Sequence, residues 1–337
     1  GFTQRGRIEY ALKGGRINTD AIDNSAGVDC SDHEVNIKIL IDAVVDDGEL
    51  TTKQRERLLA EMTDEVAELV LRDNYLQGQA LSVAEAQGPR ALPMLGRFMR
   101  SLERRGRLDR AVEFLPDNPT LARRQQEGHA MTRPELAVLL SYAKMALYDA
   151  LLDSDLPEDP YFASDLARYF PRPLRKRFPD AIRRHRLRRE IVATSVANSI
   201  INRAGITFVQ EVQDEVEASA ADIARAYVAA REIFGLRPLW NAVEALDNQV
   251  PASSQIAVLS AVATLLRKAT LRLLARRDGR ADIARSLETY GPGIADLRAH
   301  LDKVAASGVA EGMSVQSANL AAQGLPPDLA RTVAAFP

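Results

Sequence analysis

A single cysteine, Cys30, stands among 337 residues, so no disulfide can close within the chain, and that usage suits a reducing compartment. No apolar run approaches the roughly 18 residues that a membrane-spanning helix needs. The most apolar stretch, near 256–274, is broken by Arg267, Lys268 and Arg272 and reads as a core helix. Nothing at the N-terminus looks like a signal peptide. Neither sign of charge dominates: Lys+Arg 44 against Asp+Glu 46 leaves a net charge of -2, with no general attraction to nucleic acid or an anionic membrane. No Gly-x-Gly-x-x-Gly follows a strand. Gly291-Pro-Gly293 is the nearest approach and reads as a turn.

Period-two alternation is also missing after residue 30, and what replaces it is helical almost without relief. Thr51 and Gln54 have capping-box spacing ahead of Leu58, Met62, Val66, Leu69 and Val70, which predicts a helix running to Gln87 with a kink near Gly78. Thr132, Pro134 and Glu135 start another, whose stripe Leu136, Leu140, Ala143, Leu147 and Leu151 is spaced by four and three. Five prolines between 157 and 179 punctuate a turn-rich connection around a short helix at 164–169. Pro179 then opens a long helix stopped by Gly205, and further starts fall at Thr207 and Ser219. Helices are expected again over 238–246, 254–275, 281–287, 294–306, 314–321 and 328–335. The pattern predicts an all-α, irregular multi-helix bundle of about two domains, without a fixed repeat.

Chemistry is concentrated in DAIDNSAGVDCSDHEVNIKIL, from Asp20 to Leu40. Asn24, Ser25, Ala26 and Gly27 predict a turn, and Ser31 with Glu34 predicts a cap on the helix that follows. A helix start fed by a loop favours a carboxylate or phosphate ligand, although most such pairs are caps and nothing more. Asp29, Cys30, Asp32, His33 and Glu34 crowd together, but one Cys and one His are too few soft ligands for a metal. His33 reads as a surface or interdomain residue. Eight arginines, Lys176 and His185 against one acid, Asp180, fill 172–189. With Phe178 the only interleaved aromatic, they read as a solvated or subunit-contacting face more than a nucleic-acid reader. Thr194, Asn198 and Asn202, spaced by four, read as amides that fix helix packing, and Trp240 as a core anchor.

The order Asn24-Ser-Ala-Gly27-Val28-Asp-Cys-Ser31-Asp-His-Glu34 resembles the end of the coenzyme domain of glutamate dehydrogenases, where P-D-x-x-x-N-A-G-G-V-T-V-S-Y-F-E leads into a helix. The fuller GGRINTDAIDNSAGVDCSDHEVNIK is more similar to the large NAD-specific glutamate dehydrogenases of bacteria. Similar stretches recur as MTRPELAVLLSYAKMAL from Met131 and TSVANSIINRAG from Thr194.

The resemblance implies that residues 1–47 end a catalytic, coenzyme-binding domain as a short remnant of an α/β Rossmann-like fold. Residues 48–337 then form a C-terminal helical domain, with a possible sub-boundary in 154–180. By position, Ser31 matches the serine that contacts the side-chain carboxylate of glutamate, and Asn24 the asparagine near the nicotinamide end of NAD. Ala26, Asp29, Asp32 and His33 depart from the compact family pattern, so the pocket wall there is not carried over. No lysine or aspartate motif of the family occurs here, so no catalytic residue and no metal is assigned. Starting at Gly1 without methionine, the chain reads as an excised C-terminal piece that is inactive alone. The implied setting is a cytoplasmic homo-oligomer acting on L-glutamate and 2-oxoglutarate, partnered by its own upstream catalytic domain, with no nucleic acid and no membrane. A stand-alone helical interaction module is the alternative reading.

Overall fold

The structure, a computed structural model, describes residues 1–276 and 279–336, and of Asp302 the backbone alone. Among these there is helix and turn but no strand. The chain runs α1 (Gln4–Leu12), α2 (Asp20–Asp23), α3 (Ser25–Asp46), α4 (Thr52–Glu61), α5 (Thr63–Ala86), α6 (Leu92–Arg104), α7 (Asn118–Gln126), α8 (Arg133–Leu152), α9 (Ala163–Tyr169) and α10 (Arg172–Arg177). It continues through α11 (Pro179–Arg183), α12 (Arg188–Ala204), α13 (Phe208–Glu215), α14 (Ala220–Ile233), α15 (Leu236–Glu244), α16 (Ala252–Ala275), α17 (Ile283–Ala299), α18 (Leu301–Val304), α19 (Ser307–Ala322) and α20 (Pro327–Ala334). Two compact units divide it, Gly1–Asn202 and Arg203–Pro337.

In the first unit α3 packs on α5, and α8 packs on α1 and α5. Ile37, Leu40, Ile41 and Val44 turn one stripe of α3 inward, and α8 buries Leu136, Leu139, Leu140, Leu147 and Leu151. The capping boxes read at Thr51 and Thr132 start their helices. Gln54 N donates to Thr51 Oγ1 at 3.3 Å, and Thr132 N donates to Glu135 Oε2 at 2.7 Å. Glu135 does more than cap. Only 1% exposed, it accepts two bonds from Arg124 at 2.8 and 2.9 Å, a bidentate pair that ties α7 to the start of α8.

The second unit is built on α14, which packs against α16 and α17. Ala224, Ala226, Ala229 and Ala230 are all buried there, and small side chains let neighbouring helices approach closely. Trp240 is the anchor expected: it is 4% exposed, and the Arg203 guanidinium lies 4.6 Å over its ring while pairing with Glu244 at 2.7 Å.

Several expected boundaries move. Residues 1–47 hold α1, α2 and α3 joined by turns and irregular chain, so the α/β remnant has no strand to represent it among the described residues. The helix expected from Thr51 to Gln87 is two, broken at Met62, and Gly78 lies inside α5. The helix expected from Pro179 to Ala204 is also two. His185 Nδ1 accepts from Leu187 N at 3.1 Å while its Nε2 meets Asn36 O at 3.0 Å, so the side chain takes over backbone bonding between α11 and α12. Gly291-Pro-Gly293 is no turn: Pro292 sits within α17, and Glu288, whose carbonyl loses its helical donor, is exposed to water.

Candidate functional site

The polar stretch at Asp20 to Leu40 folds differently from its spacing. Asn24, with φ -110° and ψ 12°, joins α2 to α3, and the chain is already helical at Ser25. Residues 25–27 therefore form no loop, and Ser31 lies in the second turn of α3, where it caps nothing. Glu34 pairs with Lys38 along the same helix instead of reaching back. Helical bonding starts early because α2 has already turned the chain: Asn24 N donates to Asp20 O at 2.9 Å, and Gly27 N to Asn24 O at 3.2 Å.

A cleft of ≈ 390 Å³ opens beside this junction. Asp20, Asn24, Ser25, Val28 and Asp29 form one wall; Asp73 and Gln77 of α5, Lys144 of α8, and Asn198 and Asn202 of α12 form the others. Ser25 Oγ accepts from Asn74 Nδ2 at 3.0 Å and Gln77 Nε2 at 3.3 Å, which locks the first turn of α3 onto α5. Asp20 is engaged as well, by Arg7 and by Asn24 Nδ2 at 3.4 Å.

The other charges are less well matched. Burial, then the neighbouring Asp73 and Asp32, push the Asp29 carboxyl up to about 6 against the pull of Lys144. Burial likewise raises Asp73, with Lys144 and Arg72 opposing. Desolvation brings the Lys144 ammonium down to about 8, although Asp73 and Asp29 support its charge. Asp29 Oδ2 and Asn202 Oδ1 are buried without a hydrogen-bond partner among the described residues.

Asn24 thus stands at the cleft, whereas Ser31 does not line it. Both are exposed on one face of α3 that also carries Gly27, Val28 and Val35, the two valines 65% and 49% exposed. Sequence reasoning passed over Asp73 and Lys144. A clue to Lys144 was available, because it is a lone lysine in the apolar stripe of α8 and must either snorkel or meet carboxylates. Asn198 and Asn202 were read as packing amides, and Thr194, in the same row, is exposed.

His33 is not a surface residue. It is 4% exposed and stacked on Tyr169 with ring centroids 4.3 Å apart, and burial brings its imidazole down to about 4. Tyr169 Oη accepts from Asn36 Nδ2 at 2.8 Å, and burial pushes the phenol up to about 12. Part of the arginine-rich stretch is pinned locally. Arg175 meets Glu65 at 3.4 Å, and Arg189 donates to Leu152 O at 2.6 Å. Among the described residues no group of three His, Cys, Asp or Glu side chains could hold a metal, and no helix is long and apolar enough to cross a membrane.

Two family models match the chain: "Glutamate dehydrogenase, C-terminal" over residues 128–337, and "Bacterial NAD-glutamate dehydrogenase, catalytic domain" over residues 1–84. The chain is 48% identical over 335 residues to the NAD-specific glutamate dehydrogenase of Halomonas elongata, and 46% over 334 to that of Pseudomonas aeruginosa. It is 38% identical over 333 residues to that of Mycobacterium tuberculosis. Each alignment covers 99% of this chain but 20% to 21% of the relative, so the chain spans about a fifth of the length of these curated relatives.

Proposed function

Because the chain belongs to the glutamate dehydrogenase C-terminal family, we propose that it is the C-terminal part of an NAD-dependent enzyme converting L-glutamate, NAD and water to 2-oxoglutarate, NADH and ammonium. The observation that carries this reading is the unbroken match along 99% of the chain to proteins named NAD-specific glutamate dehydrogenases. The geometry of α3 agrees with it. Asn24 and Ser31 are exposed beside Val28 and Val35, an apolar and polar face for which the upstream catalytic part of the same chain is the natural cover.

On this reading residues 1–47 finish the catalytic domain and residues 48–337 brace it, in a cytoplasmic homo-oligomer. Asn24 lies toward the nicotinamide end of NAD. Ser31 donates to the side-chain carboxylate of glutamate. Hydride transfer needs a phosphate-cradling fold and a lysine placed against substrate, and these belong to the upstream chain. NAD supplies the hydride acceptor; this chain's residues orient and enclose.

Two measurements test the reading. In the full-length enzyme Ser31→Ala raises KM for glutamate about tenfold, the size of one lost charge-assisted hydrogen bond. An unchanged KM removes Ser31 from the site. The 337-residue chain alone, given glutamate and NAD, shows no turnover, and any NADH production overturns the assignment of catalysis to the upstream part.

A further inference from the structure

The cleft beside α3 has more acceptors than donors. Asp20 is answered by Arg7 and Asn24, and Asp73 by Lys144 and Arg72, but Asp29, with Asp73 and Asp32 beside it, has Lys144 alone to oppose its charge. Two acceptors are also orphaned, Asp29 Oδ2 and Asn202 Oδ1, and Asn202 is only 8% exposed. A buried acceptor left without a donor costs about 1–3 kcal/mol, a cost that folds tolerate chiefly where a ligand relieves it. The partial positive charge at the start of α3 falls at Asn24 and Ser25, where Asp20 offsets it.

We propose that this cleft binds an N–H-donating monocation, ammonium or the primary ammonium group of a small amine, through Asp29 Oδ2 and Asn202 Oδ1. Such a ligand supplies a positive charge beside Asp29 and donors for two fixed acceptors. A quaternary amine supplies charge without donors, and a metal ion would need more ligands than are gathered here, since no group of three His, Cys, Asp or Glu side chains among the described residues could hold one. Burial first, then Asp73 and Asp32, raise the Asp29 carboxyl against the pull of Lys144, and a cation bound beside it would lower it again. Ammonium is also the product of the reaction proposed above, so the cleft would serve as a holding site for it; that link rests on the dehydrogenase reading, whereas the binding does not.

The test is calorimetric titration of the 337-residue chain at pH 7.5 and constant ionic strength. The chain carries a buried core in each of its two units. Ammonium chloride and ethylammonium chloride saturate one site, while tetramethylammonium and potassium chloride do not. Free ammonium is separated from an amine ligand by which of the first two binds more tightly. Asp29→Asn weakens ammonium at least tenfold yet raises the thermal midpoint of the ligand-free chain, which shows that the variant folds. Asn202→Leu weakens it less, and Lys144→Met strengthens it by removing the competing positive charge. Equal responses to potassium or tetramethylammonium, no saturation, or binding unchanged in Asp29→Asn would overturn the proposal. An absence of glutamate turnover in the full-length enzyme leaves these titrations untouched and falls on the dehydrogenase reading alone.

Discussion

The two units spend their buried polar groups differently. In Arg203–Pro337 the buried charges sit in ion pairs, Arg203 lying 2.7 Å from Glu244 while covering Trp240 and Arg231 lying 2.7 Å from Glu232, and among its described residues a neutral hydroxyl, Thr270 Oγ1, is left over. In Gly1–Asn202 a similar matching appears at Arg124 and Glu135, but it stops at the cleft and at the His33 stack, where acceptors and ring nitrogens are left over. Matched burial makes a scaffold. Mismatched burial marks where a ligand, a partner or a proton is expected.

The largest effect should come from breaking the matched set. Glu135→Ala leaves Arg124 buried without its carboxylate and uncaps α8, which costs about 3–5 kcal/mol in chemical denaturation. A comparable loss, about 2–5 kcal/mol, is expected in the second unit for Leu266→Ala, a fully buried side chain. If the first unit unfolded no more readily in Glu135→Ala, the distinction between matched and mismatched burial would fail.

The mismatched groups should instead report through pH. His33 titrates near 6.5 when unfolded and about 4 when folded, so the unfolded chain binds the extra proton between those values. The stability of neutral His33 is present above 6.5 and lost as pH falls toward 4, by about 3 kcal/mol at most. His33→Phe should flatten that part of the stability-versus-pH curve.

Asp29 has the opposite sign: its folded value of about 6 lies above the unfolded 3.8, so the wild type gains stability as pH falls through 6. Asp29→Asn should therefore be more stable than the wild type by about 1 kcal/mol at pH 8, after allowance for solvent screening, with the difference vanishing below pH 4. Smallest of all is Ser31→Ala, which should leave stability within about 0.5 kcal/mol, because its side chain is exposed and makes no hydrogen bond or ion pair among the described residues. A larger loss would mean that Ser31 is structural after all.

Much of this was legible in residue order. Thr51 with Gln54 and Thr132 with Glu135 announce their helices because capping is a contact between neighbours in sequence. The same rule misled at Ser31 and Glu34, since spacing alone cannot report that α2 has turned the chain and that α3 already begins six residues earlier, at Ser25. Asn24 could be picked out through family resemblance. Lys144 stood out only as a lone lysine among apolar residues and Asp73 not at all, because their importance lies in meeting Asp29 from helices far apart in the chain.

Local order in the sequence determined the class of the fold: caps, apolar stripes spaced by three and four, and glycine stops specify helices from short-range physics alone. It also carried the family, because the motif from Asn24 to Glu34 is contiguous. Tertiary structure alone decided which polar groups share a space, how His33 comes to be buried, and that Asn202 faces the cleft with an unanswered oxygen. The reason is dielectric as much as geometric: a side chain's charge and hydrogen bonding depend on what excludes water from it, and those neighbours come from other helices.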